Sequence, residues 1–225
     1  MKLLNTYSSP NHNERPKAPD MLLLHYTGMR TAADALRRLC SPEAAVSAHY
    51  LIDEDGLIYA LVDEDRRAWH AGLSFWQGER DINGCSIGLE IVNPGHQFGY
   101  RPFPERQIDS VAVLARDIIE RHKIRAARVL GHSDVAPKRR QDPGELFPWE
   151  ALAERGIGLW SGGGGGGAPF GSRGEMLAAA GYDVSDEDAA ARAFQRHFYP
   201  DAFDRESEKD RTEERLSAVA PLLGG

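Results

Sequence analysis

Cysteine is close to absent: the 225 residues hold two, Cys40 and Cys85. Two thiols cannot make a disulfide framework, and they are read as free, with a single bridge as the alternative. They also supply no cysteine-pair zinc site, so any metal must be held by histidine and carboxylate. The HExxH helix motif is missing too. Long apolar runs are lacking, and none approaches the ~20 residues that span a bilayer. The N-terminus, MKLLNTYSSPNHNERP, lacks the apolar core of a secretory signal. The location this implies is cytoplasmic, with periplasmic as the alternative for a chain stripped of a leader. Positive charge is in short supply, with 27 Lys and Arg against 34 Asp and Glu, a net charge of −7. That balance argues against a nucleic-acid partner, which needs a basic face.

What is present suits a globular chain, with 41% hydrophobic and 27% charged residues. The length allows one large domain or a main domain plus a small one. Residues 1–20 are polar and rich in Pro and Asn, and read as an extended arm. Met21-Leu22-Leu23-Leu24 is a short apolar run read as a buried strand ending at His25. Thr31 to Cys40 has helical spacing. Strands at His49–Ile52 and Leu57–Leu61 flank Asp53-Glu54-Asp55-Gly56, a hairpin signal. Ser86 to Asn93 reads as a further strand. In Gln107 to His122, Ile108, Val111, Leu114, Ile118 and Ile119 recur at helical steps. Arg128-Val129-Leu130 is a short strand before Gly131-His132. Interleaved strands and helices predict an α/β domain with a mixed central sheet over 21–160. Six glycines, Gly162 to Gly167, mark 161–168 as a flexible linker, with a loop inside one domain as the alternative. Residues 169–225 read as a small helical domain, with helices over 173–180, 186–198 and 210–219.

The chemistry-bearing residues sit at strand ends. His25 closes one apolar strand and His132 another, and Asp142 follows ten residues after His132. Each histidine alone is better read as a strand cap. Together, two histidines and a carboxylate are a catalytic zinc set with one position left open. Glu90 lies inside the apolar strand Ile87-Gly88-Leu89-Glu90-Ile91, with Gly88 on its own face leaving room beside it. A carboxylate placed there is either a general base in a cleft or half of a buried salt bridge. His49 is read as structural.

The runs LLHYT (23–27), SAHYLI (47–52), RAWHAG (67–72), SIGLEIVN (86–93) and GHSDVAP (131–137), followed by Asp142-Pro143-Gly144, resemble the type-2 N-acetylmuramoyl-L-alanine amidases, the AmpD- and AmiD-like enzymes. These are related in fold to peptidoglycan recognition proteins and phage T7 lysozyme. The resemblance spans about residues 9 to 160 and implies zinc on His25, His132 and Asp142. It implies Glu90 as the catalytic glutamate. It also implies a basic helper two residues before the aspartate, usually lysine and here Arg140. Arginine keeps the positive charge but not a proton to donate. The substrate would be peptidoglycan or a muropeptide, cut between muramic acid and L-alanine. Tyr26, Trp69, His70, Trp76 and Asn93 are the candidates for the substrate groove, with core packing the alternative for the tryptophans.

Leu177-Ala178-Ala179-Ala180-Gly181-Tyr182 and Ala190 to Phe198 resemble the small three-helix peptidoglycan-binding domain. The other reading of this piece is a helical cap packed on the first domain. A non-catalytic peptidoglycan sensor and a different zinc peptidoglycan hydrolase are the rival functions.

Overall fold

A computed structural model describes residues 3–160, 170–203, 205 and 209–224; the glycine-rich 161–168 lies outside them. The strands are β1 (Leu3–Leu4), β2 (His12–Glu14), β3 (Met21–Tyr26), β4 (Tyr50–Ile52), β5 (Ile58–Ala60), β6 (Arg66–Ala68), β7 (Ser86–Ile91) and β8 (Val129–Gly131). The helices are α1 (Ala32–Leu39), α2 (Ile82–Cys85), α3 (Gly95–Phe98), α4 (Glu105–His122), α5 (His132–Val135), α6 (Trp149–Glu154), α7 (Arg173–Ala180), α8 (Glu187–Phe198) and α9 (Lys209–Gly224).

Six strands form one sheet in the order β1-β5-β4-β7-β3-β8. Only β4 and β5 run antiparallel, so the sheet is mixed, as the α/β reading expects. The centre, β7-β3-β8, is parallel and buried on both faces, which is why Met21-Leu22-Leu23-Leu24 reads as an unbroken apolar run. Alternation splits these strands cleanly. Leu22, Leu24, Ile87, Leu89, Ile91 and Val129 pack against Val111, Leu114 and Ile118 of α4. The opposite face carries Met21, Leu23 and Leu130, and in the same alternation His25, Glu90 and His132.

That second face has two coverings. Toward β4, Leu51 and Val92 meet Ala35, Leu36 and Leu39 of α1. Toward β8, Leu23, Leu130 and Trp76 share a core with Met176, Leu177, Phe194, Phe198 and Leu216 of α7–α9. Burying each large apolar side chain is worth roughly 1.5–3 kcal/mol. The C-terminal helices are therefore packed on the sheet through a common core.

The N-terminal arm departs from expectation. Its β1 pairs in parallel with β5, and its β2 pairs antiparallel with β6 as a separate two-stranded sheet. Backbone pairing at an edge needs no apolar alternation, so a polar Pro- and Asn-rich sequence hides it. Cys40 and Cys85 are both free thiols. Among the described residues no helix is long and apolar enough to cross a membrane.

Candidate active site

Three parallel strands end together. His25 on β3 pairs in register with Glu90 on β7, and Leu24 with Gly131 on β8, so His132 follows one step beyond. Asp142 reaches the same place from the loop after α5, where the Ser133 N–H donates to the Asp142 carbonyl. His25 Nδ1 lies 2.9 Å from His132 Nδ1 and 3.0 Å from Asp142 Oδ2. His132 Nδ1 lies 2.9 Å from that same oxygen. All three residues are buried, and among the described residues they form a group of histidine and acidic side chains whose ligand atoms converge within 4.8 Å of one another.

The surrounding hydrogen bonds fix which nitrogens are bare. The Ser86 hydroxyl donates to the Ile82 carbonyl at 2.6 Å, so it accepts from His70 Nε2 at 3.3 Å. His70 Nδ1 then accepts from His25 Nε2 at 3.0 Å. His132 Nε2 donates to the Ala71 carbonyl at 3.0 Å. Each of these two histidines thus carries its proton on Nε2 and presents an unprotonated Nδ1. Burial, then the neighbouring His132, holds His25 down to about 4. Burial pushes Asp142 up, but His132 and His25 outweigh it and hold the carboxyl well below the usual range. Two lone pairs and a carboxylate oxygen facing one another at about 3 Å repel. A divalent cation resolves this, and ligand distances of about 2.0–2.2 Å fit such a triangle. The donor set and its outer hydrogen bonds match a zinc centre.

Beside the triad a cavity of about 510 Å³ opens, lined among others by Tyr26, Trp69, Glu90, Phe98, Arg139 and Arg140. Glu90 lines it, and its Oε2 is shielded from solvent and without a hydrogen-bond partner among the described residues. Burial, then Asp142, raises its carboxyl well above the ordinary value, and Arg140 opposes this. The buried salt-bridge reading of Glu90 finds no partner among the described residues. Lys138 and Arg139, the neighbours of Arg140, are both engaged. Lys138 pairs with Asp183 at 3.5 Å, and Arg139 donates to the Ala71 and Leu73 carbonyls. The Arg140 side chain is exposed, has no such partner among the described residues, and lines the cavity.

The groove candidates divide. Tyr26 and Trp69 line the cavity, with Tyr26 Oη donating to His96 Nδ1 at 2.9 Å and Trp69 Nε1 donating to Asn13 at 2.8 Å. His70 also lines the cavity, and its Nδ1 accepts from His25 Nε2, so it holds the tautomer of that ring. Its ring also fills the space that Gly88 leaves: a Cβ there would lie 2.6 Å from His70. Trp76 is fully buried, edge-on to Tyr182 in the core under the C-terminal helices, and stands outside the cavity. Asn93 is buried and braces its own loop, donating to the Arg101 carbonyl and accepting from Gly95 N–H. An aromatic or amide in the sequence does not disclose which side of a loop it faces, and that decided both corrections. His49 is structural, accepting from Gly88 N–H at 2.9 Å.

Sequence reasoning passed over Ser86, Asn83 and His96. Asn83 Oδ1 accepts from the His70 and Ala71 N–H groups and so fixes the loop that contacts His25 and His132. Only the Pro94-Gly95 turn beside His96 hinted at a special loop.

The N-acetylmuramoyl-L-alanine amidase family matches residues 15–145. The curated amidase AmiD of Escherichia coli is 36% identical over 220 residues, spanning 84% of this chain and 78% of its own. The 1,6-anhydro-N-acetylmuramyl-L-alanine amidase AmpD of Haemophilus influenzae is 33% identical over 162 residues, 63% of this chain and 86% of its own. The solved complex of Escherichia coli AmiD with anhydro-N-acetylmuramic acid-L-Ala-D-gamma-Glu-L-Lys superposes with a TM-score of 0.78 at 34% identity, covering 92% of this chain and 89% of that one. The likeness to AmiD thus extends beyond the family segment.

Proposed function

The chain belongs to the N-acetylmuramoyl-L-alanine amidase family, and from that premise we propose that it is a zinc amidase acting on anhydromuropeptides. The bond cut is the amide between the lactyl group of the muramic acid and L-alanine. His25, His132 and Asp142 are the residues that hold the zinc. When bound there, zinc supplies Lewis acidity toward the scissile carbonyl and toward a water molecule.

The chain's own residues do the rest. Glu90 takes a proton from the attacking water and returns it to the alanine nitrogen as the carbon–nitrogen bond breaks. The products are a muramic carboxylic acid and a peptide with a free amino terminus. A carboxylate pushed upward by burial suits a group that must both accept and release that proton. Arg140, exposed at the cavity and without an ion-pair partner among the described residues, stabilises the negative charge that develops on the carbonyl oxygen. Tyr26 and Trp69 present aromatic surface to the sugar or the peptide. A small fragment as substrate is supported by the AmiD complex and by a cavity within the usual range for small ligands.

The observation that carries this reading is the unpartnered Glu90 oxygen beside three converging acceptors. The test is Glu90→Gln. This variant should bind one zinc per chain yet lose 10²- to 10⁴-fold in turnover, read by mass spectrometry of products from anhydromuropeptides and from purified sacculi. Near-normal turnover would remove Glu90 from the mechanism. Intact peptide missing from the products would remove the amidase reading.

A further inference from the structure

The helix α8 carries an Arg-His pair that the amidase chemistry does not use. Arg196 and His197 are both buried. His197 Nδ1 meets Asp134 Oδ2 at 2.7 Å. Tyr182, on the turn between α7 and α8, donates its hydroxyl to the other oxygen, Asp134 Oδ1, at 2.8 Å. The third donor to Asp134 is the Gly131 N–H, at 2.7 Å to Oδ2. Asp134 is fully buried, and a buried carboxylate is tolerable only when such donors surround it. Two of its three donors come from the C-terminal segment, one on α8 and one on the turn before it. The remaining one belongs to the residue that immediately precedes His132.

His197 is itself fixed. Its ring stacks on Trp149 at 3.7 Å and on Phe198 at 3.8 Å, and Nδ1 is its single hydrogen-bonding atom. Trp149 also closes over Gly131, where a Cβ would lie 3.3 Å from its ring and 2.7 Å from Pro143, the residue after Asp142. Arg196 reaches the second ligand loop. Its Nε lies 3.7 Å from Glu145, three residues beyond Asp142. Glu145 pairs with His96, which holds Tyr26 at the cavity wall. One turn of α8 therefore touches both loops that deliver ligands, the one bearing His132 and the one bearing Asp142.

We propose that Arg196 and His197 are positioning residues of the amidase centre: through Asp134 and Glu145 the C-terminal helices set the loops of His132 and Asp142 at their metal-binding spacing. This rests on the zinc reading of the triad. It gives the C-terminal helices a share in the active site that is separate from any hold on the wall. Outer hydrogen bonds to ligand-bearing groups are typically worth ten- to a hundredfold in metal affinity.

The test uses the full chain with His197→Phe, which keeps the ring stack and loses the donor, and His197→Asn, whose amide nitrogen replaces Nδ1. Zinc affinity is measured by competition with a chromogenic chelator, alongside visible spectra of the cobalt(II)-loaded proteins. His197→Phe should bind zinc about ten- to a hundredfold more weakly and show shifted cobalt bands. It should lose kcat while KM stays within about threefold, and His197→Asn should restore affinity to within about threefold. Unchanged zinc affinity in His197→Phe, or equal weakness in both variants, overturns the proposal. Should His197→Phe fail to fold, Tyr182→Phe, which removes one hydroxyl, takes its place in the same assay. Weaker zinc binding is then expected, and unchanged affinity overturns the proposal. A wild-type chain that binds no zinc overturns the metal reading instead.

Discussion

At the scale of single residues, Arg140 and the buried histidines decide the most. Arg140 stands where lysine is usual in the family pattern, and the role proposed for it, a fixed charge, needs no proton transfer. Arg140→Lys should therefore keep turnover within about tenfold, whereas Arg140→Ala should lose about 10²–10³-fold, measured as kcat on an anhydromuropeptide. If Ala were tolerated, the charge would be idle. The histidines give a pH prediction. Burial, then the charge of Arg15, holds His49 down to about 3, against an ordinary value of 6.5. Above pH 6.5 both folded and unfolded chains keep the ring neutral. As pH falls below 6.5 the unfolded chain takes a proton that the folded chain refuses, so stability falls, by about 1.4 kcal/mol per pH unit for such a group. Glu64 adds its loss only at lower pH. Against its own burial, Arg121 and His122 bring it to about 2, from an ordinary 4.5. Melting temperatures of the chelated protein should drop between about pH 7 and about pH 5. A flat profile would mean that the interior accepts charged imidazole.

At the scale of elements, the signals in the sequence were of unequal strength. The helix predicted over 31–40 is α1, and its N-cap is Thr31, which accepts from Asp34 N–H at 3.1 Å. Removing that cap with Thr31→Ala should cost about 1 kcal/mol in chemical denaturation. The long helix α4 was legible because its apolar positions keep one period over 18 residues. The elements α2, α3 and α5 were not, because four residues are too few to show a period. The same limit hid β6, whose three residues include two arginines and gain their place by pairing with β2. For α8, the apolar residues Ala190, Phe194 and Phe198 line up at four-residue steps and are fully buried against the sheet face. Phe194→Ala should destabilise the chain by roughly 3–5 kcal/mol, and the loss should register in the amidase segment as well.

At the scale of the whole molecule, the shared core between β3, β8 and α7–α9 makes cooperativity the informative property. Heating should give one calorimetric transition with calorimetric and van't Hoff enthalpies in agreement. Two separated transitions would show that the C-terminal helices unfold by themselves. A truncation ending near residue 160 would expose Leu23, Leu130 and Trp76, all fully buried in the full chain.

The sequence by itself determined the mixed α/β architecture, the family and the place of His25, Glu90, His132 and Asp142, because each sits in a short run whose residues answer local rules of alternation and strand ending. Only the tertiary structure decided that His70 accepts from His25 at the cavity wall, that Trp76 and Asn93 lie outside the cavity, and that Glu90 Oε2 has no hydrogen-bond partner among the described residues. It alone brought Asp134 to His197 across 63 positions of chain. The physical reason is common to all four. A side chain's residue type fixes what bonds it can make, but the groups that fill those bonds are supplied by distant segments meeting over one face of the sheet.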